Sequence, residues 1–378
     1  MKEYKKVAIV YRLDHPGGLQ SCCFSLIKGL NREGIIPDVI WDIEPDWSLL
    51  RSVGCEARYK FVRFPISSKM ITNLPFTFRY LAKVANTING DRYRQDYDFF
   101  YIFYNGFLLS NGAQHVRYLP GPPLLPQLES IRPGIRGIPY KTFKWLYQNL
   151  LRKTQPVYEF HKENNYVTIS QFTSALFQEA HGVELPVIHP PIDLSGQDFD
   201  FDDLNCRDTL TFFSRIVDYK RPEMVLELAS KYRNMRCVIM GGVPPYRRPY
   251  FESLQKQAKE MGITEAVFLA NPSAQRVKDE LTRTRFYVFT AIDEHFGMTT
   301  VEATASGAIP YVHDSGGQKE IVIDSRLRFK DSEFFDKFDA LINLSDVKLN
   351  KLRKDLYAHI QQYSEEVYIS KMLVFINR

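Results

Sequence analysis

The chain has 378 residues, 44% of them hydrophobic and 25% charged, with a net charge of +5. At roughly 150 residues per domain this is about two domains, and the mild positive balance is too small to argue for a nucleic-acid partner. Gly (20) and Pro (21) stand at ordinary levels, which excludes collagen-like and low-complexity chains. Aromatic residues reach 14%, enough to fill two cores and leave rings for clefts or surfaces. Five cysteines, Cys22, Cys23, Cys55, Cys206 and Cys237, contain no CxxC pair. That pattern fits a reducing, cytoplasmic compartment rather than a disulfide framework or a zinc site.

The chain opens on a short apolar run, Val7 to Tyr11, which reads as a first strand and not as a secretory signal. Arg12 to Gly18 forms a turn. Leu19, Cys22, Cys23, Leu26, Ile27 and Leu30 then recur on one helical stripe closed by Gly34. Strand-like runs follow at Pro37 to Trp41, Tyr59 to Phe64, Phe99 to Tyr104, Val116 to Leu119 and Tyr166 to Ser170. The paired prolines Pro190 and Pro191 and the acidic run from Gln197 to Asp203 read as a linker.

The second half alternates more clearly. Strands are expected at Leu210 to Phe213, Cys237 to Met240, Ala266 to Leu269, Phe286 to Thr290 and Ala308 to Val312. Helices are expected at Met224 to Tyr232, Phe251 to Glu260, Ala274 to Leu281 and Met298 to Ser306. Such alternation predicts an α/β fold: two Rossmann-like, doubly wound parallel sheets facing across a cleft at the carboxyl ends of their strands. The last segment, Tyr363 to Phe375, reads as a helix.

Three clusters could carry chemistry. Asp293 to Glu302 follows a predicted strand and opens a helix. Gly297 permits a close turn, and the first-turn amides of Gly297, Met298 and Thr299 make an anion site beside two carboxylates, Glu294 and Glu302. Phosphate donors next to hydroxyl acceptors suit a ligand carrying both phosphate and sugar. Ser214 to Pro222 places Arg215 and Lys220 around a second strand-to-helix turn, a guanidinium fork and an ammonium for phosphoryl oxygens. Gly17-Gly18 follows the first strand and lets a ligand approach the backbone. Neither GxGxxG nor a P-loop is present. Taken singly, each cluster also reads as ordinary structure: Glu302 facing its helix dipole, a solvated basic loop, an unremarkable Gly pair.

Together these segments resemble family 4 of the retaining GT-B glycosyltransferases. The residues that carry the resemblance are Gly17-Gly18, Pro190 to Asp193, Arg215, Lys220, Glu294 to Gly297, Glu302, Ala303 to Pro310 and Ser315 to Gly317. The run Glu294 to Ile321 is the most specific and is closest to mannosyltransferases that extend lipid-linked oligosaccharides from GDP-mannose. The resemblance implies a retaining hexosyltransferase acting from a nucleotide-diphosphate sugar, GDP-mannose or a UDP-sugar, onto a glycan or lipid-linked acceptor. It implies no metal and no other cofactor. Arg215 and Lys220 would hold the diphosphate, Glu302 the ribose and Glu294 the donor-sugar hydroxyls. His295, Phe296, Gly297, Met298 and Thr299 would bind phosphate or sugar, the last four through their amides. Gly241, Gly242 and Asn271 would line the base, and Gly17 and Gly18 would close over the donor. An acceptor-side domain would span 1–190 with a crossing helix at 362–378, and a donor domain 191–361.

The chain departs from the family at Leu119-Pro120, where many relatives carry a His beside the donor sugar; His115 lies too early, ahead of the strand expected at Val116. Two DxD triplets, Asp96-Tyr97-Asp98 and Asp198-Phe199-Asp200, are not expected to bind metal. Ser130 to Tyr158 contains no Asp or Glu but holds six basic residues and an aromatic, helically spaced set including Trp145 and Tyr147. This strip is expected to face the acceptor or an anionic membrane surface, making the protein peripheral at the inner face. Rival readings are a GT-B-shaped epimerase, which would turn over nucleotide sugar without acceptor, and a non-catalytic sugar-binding protein.

Overall fold

The structure is a computed structural model. It describes residues 6–14, 17–74, 82, 86–104, 106–110, 112–122, 145, 149, 165–194, 201 and 203–376. These divide into two compact units, Met1–Pro191 with Glu365–Arg378, and Ile192–Ser364.

In the first unit the apolar runs become β1 (Val7–Val10), β2 (Asp38–Trp41), β3 (Arg58–Phe61), β4 (Ile88–Asn89), β5 (Phe99–Ile102), β6 (Phe107–Leu108), β7 (His115–Leu119) and β8 (Asn165–Thr168). Six of them form one sheet in the order β3-β2-β1-β5-β7-β8, and every pairing is parallel. β1 and β5 are central and fully buried (VAIV, FFYI), as strands covered on both faces must be. Helix Gly18–Arg32 buries its Cys22, Cys23, Leu26, Ile27 and Leu30 stripe. It packs on the C-terminal helix Glu365–Leu373, which Lys28 and Arg32 hold through Glu365 and Glu366 at 2.9 and 2.7 Å. The Gly29 Cα lies so close to Ile369 that a Cβ there would come within 2.5 Å of it.

The second unit contains β9 (Thr209–Phe213), β10 (Arg236–Gly241), β11 (Ala266–Ala270), β12 (Thr284–Phe289), β13 (Ile309–His313) and β14 (Arg328–Phe329). Their order is β11-β10-β9-β12-β13-β14, again all parallel. Counting only the six strands of each sheet, both run 3-2-1-4-5-6. Chain order reverses between β1 and β5 in one, and between β9 and β12 in the other. Open sheets of this kind take ligands outside the carboxyl ends of the strands at that reversal.

Two local expectations change. β7 begins at His115 rather than Val116, so His115 is the first strand residue. Four residues at about 3.3 Å each separate it from Leu119 at the carboxyl end. Pro191 closes the first unit, while the Asp203–Cys206 turn already belongs to the second, so the acidic run is not a free spacer from end to end. Its Asp198 and Asp200 lie outside the described residues, as does nearly all of the basic aromatic strip at 130–158. Within that strip Trp145 is exposed. Among the described residues no helix is long and apolar enough to cross a membrane.

Candidate active site

The reversal in the second sheet places two loops side by side, Ser214–Arg221 after β9 and Thr290–Gly297 after β12. Lys220 and Glu294, 74 residues apart in sequence, meet there as an ion pair. Lys220 is buried and its ammonium lies over the Phe289 ring, 5.2 Å from the centroid. Burial by itself would push the Glu294 carboxyl up. The Lys220 ammonium, through charge and hydrogen bond, and then His295 and Arg215 overcome this and hold it below the usual range. Arg215 is exposed and its charge reaches the Glu294 carboxylate.

The backbone around the pair is over-determined. Thr290 Oγ1 lies 2.7 Å from the Lys220 carbonyl and 2.8 Å from that of Arg221. The Gly317 amide donates to the Glu294 carbonyl at 2.7 Å. A Cβ on Gly316 would meet the Glu294 carbonyl oxygen at 2.4 Å, and one on Gly317 the His295 carbonyl oxygen at 2.2 Å, so Ser315-Gly316-Gly317 must pass flush against this loop. Gly297 adopts φ 105° and starts helix Met298–Ala305, whose first amides have no carbonyl within the helix to bond. Phe296 sends its ring inward onto Tyr363 at 5.2 Å, leaving its backbone as the part that can face a ligand. Thr299 Oγ1 bonds the Tyr287 hydroxyl at 2.7 Å, and that hydroxyl also donates to the Phe213 carbonyl. One tyrosine thus ties the start of this helix to the end of β9.

Glu302 sits one turn further along. Burial pushes its carboxyl up to about 7, and among the described residues no cation opposes that shift. It is therefore a carboxyl poised between its two protonation states, suited to accepting hydrogen bonds from neutral hydroxyls.

Gly241, Gly242 and Asn271 come together at the carboxyl ends of β10 and β11. Gly241 has φ 146°, and a Cβ there would lie 1.7 Å from the Ser214 carbonyl oxygen. The Gly242 carbonyl accepts from the Ile216 amide, which fixes Arg215 between the two contacts. Asn271, left-handed at φ 52°, uses its Oδ1 to accept from the Val243 amide at 3.0 Å.

Gly17 and Gly18 belong to the first unit. Gly17 is extended at φ 172°, a conformation open to any residue, and a Cβ there would touch only the movable end of Gln20. Of the DxD triplets, Asp96 pairs with Lys60 at 2.7 Å while Asp98 accepts the Lys6 amide at 2.9 Å. The two carboxylates serve different partners. Sequence reasoning missed Thr290, Tyr287 and Asp331. Thr290 and Tyr287 looked like strand residues, and Asp331 lies beyond a two-residue strand too short to leave a periodic signal.

Residues 202–358 match the family model for glycosyl transferases group 1. Over 164 residues the chain is 26% identical to the GDP-Man:Man(3)GlcNAc(2)-PP-Dol alpha-1,2-mannosyltransferase of Dictyostelium discoideum, covering 39% of this chain and 32% of that protein. The chain thus spans about a third of that curated relative's length. Whole-chain likeness is structural. The Anabaena protein Alr3699/HepE, solved in complex with UDP and glucose, aligns with a TM-score of 0.67 at 14% identity over 99% of both chains. Sucrose-phosphate synthase of Thermosynechococcus elongatus aligns with a TM-score of 0.69 at 13% identity, over 99% of this chain and 98% of that one. The fold of the chain is that of the GT-B glycosyltransferases, and its second unit is the part that matches the group 1 family.

Proposed function

We propose that the chain is a retaining glycosyltransferase that moves a hexose from a nucleotide-diphosphate sugar to a glycan or lipid-linked acceptor. The observation that carries this reading is the ion pair of Lys220 and Glu294 at the chain-order reversal, flanked by Arg215 and by the open amides of helix Met298–Ala305. Cations and amide dipoles in one place suit a diphosphate. The carboxylates of Glu294 and Glu302 suit the hydroxyls of sugar and ribose. GDP-mannose and UDP-glucose are the donors to try first, because similar proteins bear GDP-mannose in their name or UDP and glucose in their structure.

In the proposed reaction the bond from the anomeric carbon to the diphosphate breaks. Arg215, Lys220 and the helix-start amides stabilise the charge growing on the departing oxygen, an electrostatic contribution of about 3 kcal/mol for a single well-placed donor. The departing phosphate takes the acceptor proton, and the acceptor oxygen bonds to the same face of the sugar. Glu294 is held ionised by Lys220, which suits it to gripping sugar hydroxyls rather than donating a proton. The reading includes transfer without a metal ion, the two cations meeting the diphosphate charge.

The test is a donor panel of GDP-, UDP- and ADP-sugars read by nucleotide-diphosphate release, with and without sugar and lipid-linked acceptors. Acceptor-dependent release that Arg215→Ala reduces at least 100-fold supports the reading; wild-type rates in that variant refute it. Release without acceptor would mean an epimerase-like or hydrolytic reaction. A second readout comes from Glu302. A ribose hydroxyl donating to the carboxylate favours its ionised form, so UDP or GDP affinity should rise from pH 6 to pH 8, and Glu302→Gln should flatten that rise.

A further inference from the structure

Among the described residues three that are not glycine have left-handed backbone: Arg221 (φ 56°), Asn271 and Asp293 (φ 52°). Such a conformation is sterically disfavoured for a residue with a Cβ and persists only where the surroundings enforce it. Arg221 directly follows Lys220, and Asp293 directly precedes Glu294. The two strained residues are thus the chain neighbours of the two members of the central ion pair.

A single chain of polar contacts joins them from behind. The Asp293 amide donates to Ser315 Oγ at 2.8 Å. Ser315 Oγ stands 2.8 Å from His313 Nδ1. His313 Nε2 faces Asp331 Oδ1 at 3.6 Å. Arg221 grips Asp331 with both terminal nitrogens, at 2.5 and 3.0 Å. The chain has one consistent direction when the imidazole is neutral with its proton on Nε2: Ser315 then donates to Nδ1, and Nε2 points at a carboxylate already bound by Arg221. His313 ends β13, its ring set edge-on to Phe329 at 5.5 Å, and Gln318 Nε2 holds its carbonyl at 2.7 Å. The middle of the chain is therefore anchored to the sheet while its ends are the two loops.

We propose that His313, Ser315 and Asp331 form a brace that positions the Lys220–Glu294 pair by holding Arg221 and Asp293 in their left-handed conformations. These three are positioning residues: each acts through its neighbours, and the brace gives the two loops one shared support. Loss of one link should loosen both, including the loop that the altered residue does not touch. The catalytic side of this inference rests on the proposed glycosyl transfer; the mechanical side does not.

The experiment uses the full chain with Ser315→Ala, Ser315→Thr and His313→Ala. With GDP-mannose or UDP-glucose, whichever the wild type turns over, Ser315→Ala should lower kcat roughly 10- to 100-fold, the cost of a misplacement near 1 Å, while donor KM moves less than about threefold. Ser315→Thr keeps the hydroxyl and should recover most of that loss. Hydrogen exchange of peptides covering 216–224 and 290–297 should rise in both loops for Ser315→Ala, although Ser315 touches only the second. Unchanged kcat in Ser315→Ala, no recovery in Ser315→Thr, or exchange rising in 290–297 alone each overturns the brace. If His313→Ala does not fold, the two Ser315 variants carry the test by themselves. If exchange rises in both loops while the wild type turns over no nucleotide sugar, the brace stands and the glycosyltransferase reading falls.

Discussion

At the carboxyl edge of the first sheet, Arg12 forks onto Asp14 at 2.7 and 2.8 Å and neutralises it within the loop after β1. Around it stand rings: Trp41 at the end of β2 lies 4.7 Å from Phe64 and 4.9 Å from Tyr104, with Tyr11 and Phe103 beside them. At the carboxyl edge of the second sheet stand a buried Lys220–Glu294 pair, an uncompensated Glu302 and all three described non-glycine residues with left-handed backbone. The strand order is the same in both units. One edge packs its aromatic rings into the core, the other carries fixed charge and strain. Topology therefore fixes where a ligand can sit, and the loop residues fix what chemistry meets it there.

The contrast is tested most severely at Lys220. Removing its ammonium leaves the Glu294 carboxylate buried without its main partner. Lys220→Ala should cost the second unit about 3–5 kcal/mol in urea unfolding, as for other broken buried pairs. Lys220→Ala combined with Glu294→Gln should recover part of that. Equal stability of the single variant and the wild type would mean that the pair is effectively solvated.

His115 probes the other unit. Burial first, then the Arg117 charge, lowers its imidazole to about 4, so it is neutral in the fold. The unfolded chain takes up that proton from about pH 6.5 downward. The stabilisation is complete above pH 6.5 and is lost as pH falls to 4, amounting to about 3 kcal/mol. His115→Gln should show a correspondingly shallower acid slope. An identical slope would move the acid sensitivity to other groups.

The third and smallest effect is steric. Gly241→Ala forces a Cβ onto the Ser214 carbonyl at a φ that L-residues avoid, and should cost about 2–3 kcal/mol with weakened UDP or GDP binding. Gly17→Ala in the first unit meets only the end of the Gln20 side chain and should change stability by less than about 0.5 kcal/mol. Similar costs for the two would erase the difference between a glycine that the fold requires and one that it tolerates.

Most of the architecture is readable along the chain because strand and helix signals are local. β1 (VAIV) and β5 (FFYI) are continuous apolar runs, β9, β10 and β12 each hold an apolar stretch, and helix Gly18–Arg32 shows its stripe directly. Arg215, Lys220, Glu294 and Glu302 are marked by their position just after strands. Their geometry is not so marked. The strand β14, two residues long, has no period to detect, and with it went Asp331 and the far end of the brace. Gly17-Gly18 and Gly241-Gly242 look alike as dipeptides, yet only Gly241 has a carbonyl in the place of its missing side chain.

By itself, then, the sequence determined the alternation of strands and helices, the two parallel sheets and the residue types gathered after β9 and β12, since periodicity and punctuation act over a few residues. Only the tertiary structure decided that Lys220 binds Glu294 across 74 positions, that Arg221 and Asp293 are held left-handed by one set of contacts, and that Glu302 lies where burial raises its pKa. Pairing over such separations depends on strand order, and a carboxyl's affinity for its proton depends on what surrounds it. Neither is a property of a local stretch of chain.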